Sequence, residues 1–113
     1  MRKRKREYFT EQNIETLNLF LQNYGFAPYE ASQEYDFNQK NNDGYTALIL
    51  AAGNGNIDIV NLLLSKESSI DLTDNDGWTA LMVAAGNGYT DIANILLDRG
   101  ANIDLADNDG KTA

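Results

Sequence analysis

Apolar and polar positions along this chain alternate between helical spacing and short polar runs that end in glycine, and the whole arrangement recurs. From Asp43 to Leu64 the sequence reads DGYTALILAAGNGNIDIVNLLL, and from Asp76 to Leu97 it reads DGWTALMVAAGNGYTDIANILL. Laying residues 41–73 on 74–106 leaves 19 of 33 positions identical, and Gly44, Gly77 and Gly110 mark a period of 33 residues. A period of this length signals stacked supersecondary units, each burying its apolar faces on its neighbours rather than in one central core.

Within a unit the pattern predicts turn, short helix, turn and longer helix. Asn41-Asn42-Asp43-Gly44 supplies polar residues that accept turn geometry and a glycine for positive φ. Thr46 then caps a helix through Gly53, with Ala51 and Ala52 small enough for close helix approach. Gly53-Asn54-Gly55 turns the chain into a second helix from about Ile57 to Ser65. Ile59, Leu62 and Leu63 lie on one face of that helix and Asn61 on the other, while Asp58 and Lys66 complement its dipole. The next unit repeats this. Asp74 to Gly77 turns, Thr79 caps, Ala84 and Ala85 pack, Gly86-Asn87-Gly88 turns, and Ile92, Ile95 and Leu96 form the apolar face. Arg99-Gly100 closes its helix, where the first unit has Glu67-Ser68 and is expected to end more loosely.

Ahead of these units, Ile14, Leu17, Phe20, Leu21 and Tyr24 predict a helix over 11–24, capped by Thr10 and closed by Gly25. Residues 26–36, FAPYEASQEYD, break the pattern. Their rings, Phe26, Tyr29 and Tyr35, are expected to lie over the cap and seal it. The resulting organisation is a basic tail over 1–9, a capping helix and extended loop over 10–36, units over 37–69 and 70–102, and the start of a third over 103–113.

The period and the pattern D-G-x-T-x-L-x-x-A-A-x-x-G, followed by an apolar second helix and an Ile-Asp tail, resemble the ankyrin repeat. The resemblance covers 37–113 well and 13–25 in part. Thr46–Ile49 and Thr79–Met82 read T-A-L-I and T-A-L-M where the family has T-P-L-H. The resemblance implies an all-α fold, an ankyrin-type helix-turn-helix repeat solenoid with short β-hairpin-like turns. It also implies non-catalytic protein–protein binding through turn tips and a concave helix face. Carried onto this sequence, the partner-binding positions are Asn42, Asp43, Tyr45, Ile49, Gly53 and Asn54 in the first unit. In the second they are Asn75, Asp76, Trp78, Met82, Gly86 and Asn87, with Lys111 beginning the third. Tyr45 and Trp78 occupy one position in successive units and, if both are exposed, make an aromatic pair among acids. Leu81, Val83, Ala84 and Ala85 are expected to face a further unit. The chain therefore reads as the N-terminal piece of a longer protein, with self-association through that open face.

Charge narrows the partner. Net charge is −8, but Arg2 to Arg6 carry +5, leaving four basic residues against 17 acidic ones in the rest, or −13. An acidic body argues against a broad phosphate-binding surface and favours a partner with a basic segment. There is no Cys and no His, which removes thiolate and imidazole ligands and nucleophiles. No metal, cofactor or catalytic group is expected. In the DNDG turns a calcium loop would need ligands where Leu72, Val83 and Leu105 stand. The glycine turns match neither dinucleotide nor Walker loops. No apolar run approaches the roughly 20 residues of a membrane span. A cytoplasmic location is expected, with a nuclear one implied if Arg2–Arg6 acts as an import signal. Two further expectations are a targeting module of a larger enzyme or effector, and a nuclear regulator working through that basic run.

Overall fold

The computed structural model describes residues 10–66 and 68–113. The basic run Arg2–Arg6, expected to be a solvated tail, lies outside the described residues, as does Glu67. Among the described residues there are five helices: α1 (Glu11–Asn23), α2 (Ala47–Gly53), α3 (Ile57–Ser65), α4 (Ala80–Gly86) and α5 (Thr90–Asp98). The fold is the expected all-α stack. The two helices of each unit pack together, α2 packs on α4, and α3 lies between α1 and α5.

Each predicted threonine cap is formed. Thr10 accepts the N–H of Asn13 at 3.1 Å, Thr46 that of Ile49 at 3.2 Å, and Thr79 that of Met82 at 3.2 Å. Thr46 and Thr79 are themselves buried, so each cap both starts a helix and satisfies a hydroxyl that the interior would otherwise penalise. The turns before α2 and α4 each close on a single antiparallel bridge, Lys40 with Thr46 and Thr73 with Thr79, and Ala106 with Thr112 forms the third. These are the hairpin-like turns, and among the described residues no sheet lies behind them.

The core runs along the stack. Leu17 and Leu21 of α1, Ile59 and Leu63 of α3, and Ile92 and Leu96 of α5 are fully buried, beside Ala51, Ala52 and Ala84. The loop rings expected to cover the cap join the core cluster. Phe26, Tyr29 and Phe37 are buried, Tyr35 packs against Tyr29 and Phe37, and the Lys66 ammonium sits 5.5 Å from the Tyr29 ring centroid. Asn18 of α1 pins this loop by exchanging two hydrogen bonds with the Tyr29 backbone, donating at 3.1 Å and accepting at 2.7 Å. The Tyr35 hydroxyl donates to the Ala27 carbonyl at 2.6 Å. Burial, and then the Asp36 carboxylate beside it, raise the pKa of that phenol, so it stays neutral and a donor.

One expectation about the open face needs correction. Leu81 and Ala84 are buried and Val83 is half-buried. A methyl group added at Gly53 would come within 2.9 Å of Val83 Cγ1, so Val83 looks back onto the first unit. Of the four residues only Ala85 is exposed, whereas its equivalent Ala52 is fully buried. The forward face is instead marked by Ala85, Leu97 and Ile103.

The end of α3 differs from that of α5, as expected. Ala101 N–H reaches the Leu96 carbonyl at 3.0 Å, while the equivalent Ser68 N–H reaches Leu63 at 3.3 Å. Ser68 Oγ is also a buried side-chain oxygen without a partner among the described residues. Ser68→Ala installs the residue that the second unit already uses. It should raise stability by about 1 kcal/mol, because an unsatisfied buried hydroxyl is removed at little loss of packing. The melting temperature should rise by roughly 4–8 °C, which thermal unfolding followed by circular dichroism would read.

Candidate functional site

The turn row is held by one repeated device. Asn41 Oδ1 accepts the N–H groups of Asp43 and Tyr45, both at 3.0 Å. Asp74 Oδ1 accepts those of Asp76 and Trp78 at 2.9 Å, and Asp107 Oδ1 those of Asp109 and Lys111 at 2.9 and 2.8 Å. The first acceptor of each turn is thus committed to the backbone. The next carboxylate, Asp43, Asp76 or Asp109, is left exposed at the tip. Successive tips are tied together at one step, where the Asn108 N–H donates to the Asp76 carbonyl at 3.0 Å and Asn108 Nδ2 donates to the Asn75 carbonyl at 3.1 Å. The result is a row of carboxylates at repeat spacing, with Asn42 and Asn75 exposed beside them.

The aromatic position splits between the units. Trp78 is 36 % exposed, but Tyr45 is half-buried and packs against the core. The aromatic pair is therefore uneven, with Trp78 the accessible member. Beside Trp78 lies a depression of about 260 Å³, walled by Met82, Ala85 and Gly86 and bounded by Asp107, Lys111 and Thr112. A methyl group at Gly86 would lie 3.6 Å from Trp78 Cζ3, an ordinary van der Waals contact, so the indole lies against the end of α4.

Two of the expected partner-facing residues are corrected by their surroundings. Ile49 is buried, and Met82 is buried as well, contributing only to the wall of the Trp78 depression. Both occupy the third position of a seven-residue helix whose N–H is taken by the capping threonine. Ile49 belongs to the core cluster, whereas Met82 is covered at the wall of the Trp78 depression.

Asn54 and Asn87 are exposed, but each also ties the stack together. Asn54 Nδ2 donates to the Tyr24 hydroxyl at 2.7 Å, and Asn87 Nδ2 donates to the Gly53 carbonyl at 3.1 Å. Gly53 is half-buried and Gly86 exposed. Lys111 is exposed at the edge of the Trp78 depression. The structure therefore brings Trp78, Asp76, Asn75 and Lys111 to one surface, withdraws Ile49 from it, and leaves Met82 only as a buried wall of the Trp78 depression.

Among the described residues no group of three or more acidic side chains is arranged to hold a metal ion, and no helix is long and apolar enough to cross a membrane.

Among curated proteins, none matches the chain by sequence. A family model described as ankyrin repeats (3 copies) matches residues 8–107. The 33-residue period, the threonine-capped short helices, the bridged turns and this match converge: the chain belongs to the ankyrin-repeat family, whose members generally mediate protein–protein interaction and are typically non-catalytic.

Proposed function

We propose that this chain is a non-catalytic binding module that takes a basic segment of a partner protein across its turn row, with Trp78 as the anchor. The observation that carries this is the pairing of an accessible indole and its apolar depression with the exposed carboxylates Asp43, Asp76 and Asp109. Tryptophan is among the residues that most often dominate binding energy when a partner closes over it. Acidic tips around it raise the encounter rate with a cationic segment and disfavour acidic ones. Asp74 and Asp107 hold the tips in place, so the row is organised before a partner arrives and loses little freedom on binding. Cytoplasmic residence, with nuclear entry through Arg2–Arg6, belongs to the same proposal.

Selection of random peptides displayed on phage against the immobilised chain tests it. The selected pool should be enriched in Lys and Arg, and Trp78→Ala should weaken its members by about thirtyfold, the effect of losing a binding hot spot of about 2 kcal/mol. A pool without basic enrichment, or one indifferent to Trp78→Ala, would overturn the proposal.

A further inference from the structure

The far ends of α2 and α4, away from the turn row, carry a second set of exposed apolar side chains. Ile57 is 37 % exposed and Tyr89 38 % exposed. Two depressions meet there, both lined by Gly55 and Ile57. One, of about 530 Å³, runs toward Phe20 and Tyr24 of α1. The other, of about 290 Å³, runs toward Tyr89 and Asp91 of the second unit. Together they form a groove crossing three layers of the stack, with a tyrosine toward each end and Ile57 between.

Tyr89 is out of place by the rules of helix building. In the first unit the equivalent Asn56 caps α3, accepting the Ile59 N–H at 3.2 Å. Tyr89 occupies the same N-cap position of α5 and makes no side-chain cap bond. Tyrosine there forgoes the stabilisation that a capping Asn supplies. Its ring instead lies over Gly55, where an added methyl group would come within 3.0 Å of the ring. A cap given up for a ring that lines a groove points to a residue kept for what that ring touches. At the other end, Tyr24 is fixed by the Asn54 bond to its hydroxyl and by the Phe20 ring at 4.9 Å.

The charge of the groove selects its occupant. Asp58 and Asp91 are exposed on its walls at equivalent positions of the two units. Neither is ion-paired to a described residue, and among the described residues no Lys or Arg lines either depression. Packed helices lie about 8–10 Å apart, so repeated carboxylates recur at about that step. An extended polyproline-type segment advances about 9 Å per turn of three residues. A cation at every third residue would then meet one carboxylate after another, while prolines or guanidinium planes rest on the tyrosine rings. From this we infer that the groove between Tyr24 and Tyr89 is a second docking surface, for an extended, proline-containing basic segment of a protein partner. It is separate from the turn row, and it stands or falls independently of the role of Trp78.

A fluorescein-labelled, amidated peptide of four Pro-Pro-Arg repeats is the probe, with a Pro-Pro-Gln peptide as control. Anisotropy should show saturable binding of the arginine peptide alone, and amide shifts should concentrate in residues 54–58 and 88–91. Tyr89→Asn should weaken binding at least tenfold while raising the melting temperature, because it restores a cap. Asp58→Asn with Asp91→Asn should weaken binding similarly, and Trp78→Ala should leave it within twofold. Absence of saturable binding overturns the inference. So does a Tyr89→Asn variant that melts lower and binds equally well, since the ring would then be structural. Shifts at the turn tips, with loss on Trp78→Ala, overturn it too and leave the turn-row reading standing.

Discussion

Leu64→Ala should cost about 3 kcal/mol of stability, within the range for a buried leucine truncated to alanine. Leu97→Ala, the same substitution one period later, should cost less than about 1 kcal/mol, as surface changes do. The two leucines occupy the same place in the last turn of α3 and α5. Helix propensity and local sequence pattern are therefore nearly matched, and the difference comes from what lies around them. Leu64 is 8 % exposed and Leu97 37 % exposed. Besides the first helix of its own unit, α3 packs against α1 on one side and α5 on the other, whereas α5, besides α4, packs against α3. A cavity opens only where atoms surround the deleted ones, so the loss at Leu64 includes packing that Leu97 never made. Urea unfolding of the two variants would measure this. Equal losses would mean that burial at this position comes from within a unit and that stacking contributes little.

Most of the fold is legible in the sequence because each unit is specified locally. Thr10, Thr46 and Thr79 each stand where a cap is needed, and the glycines stand where the backbone turns to positive φ, Gly44 at 87° and Gly77 at 84° among them. The 33-residue repetition then supplies an internal alignment that most single sequences lack. What repetition cannot show is which side of a short helix faces which neighbour. α2 and α4 are seven residues long and mostly apolar all round. Their pattern has no polar stripe to set the orientation, and Ile49, Met82, Leu81 and Val83 are misplaced for that reason.

The site is less legible than the fold. The aromatic position is visible as Tyr45 and Trp78, but the differing burial of the two depends on their neighbours along the stack. The loop from Phe26 to Phe37 is organised by the Asn18 amide, a contact between residues 11 apart that no periodicity announces. Tyr89 does have a signal in the sequence. Where the first unit has Asn56 before its helix, the second has a tyrosine, and comparing units position by position for lost caps would have drawn attention to it.

Gly77→Ala should be among the most damaging single changes in the turn row, at about 3–4 kcal/mol, while Gly110→Ala should cost about 1–2 kcal/mol. Both glycines have left-handed φ, 84° and 85°, so alanine meets the same intrinsic penalty of about 1–2 kcal/mol at either place. Their surroundings differ. At Gly110 an added methyl group meets nothing within 4 Å. At Gly77 it would lie 2.5 Å from Asn108 Oδ1 and 2.8 Å from the Asn108 backbone nitrogen. That nitrogen belongs to the next turn and is held by its bond to the Asp76 carbonyl, with Asn108 Nδ2 on the Asn75 carbonyl beside it. Relief requires the turns to separate, which breaks both bonds at a net loss of about 1 kcal/mol each. Gly77→Ala would also shift the Asp76 and Asp109 tips relative to each other, so affinity for a basic partner on the turn row should fall together with stability. Thermal unfolding of the two alanine variants separates the terms. If they cost the same, the glycines serve backbone conformation alone and the contact between successive turns carries no energy. If Gly77→Ala costs more by the margin expected, the turns act as one connected surface, and the row of carboxylates has a fixed spacing for a partner to read.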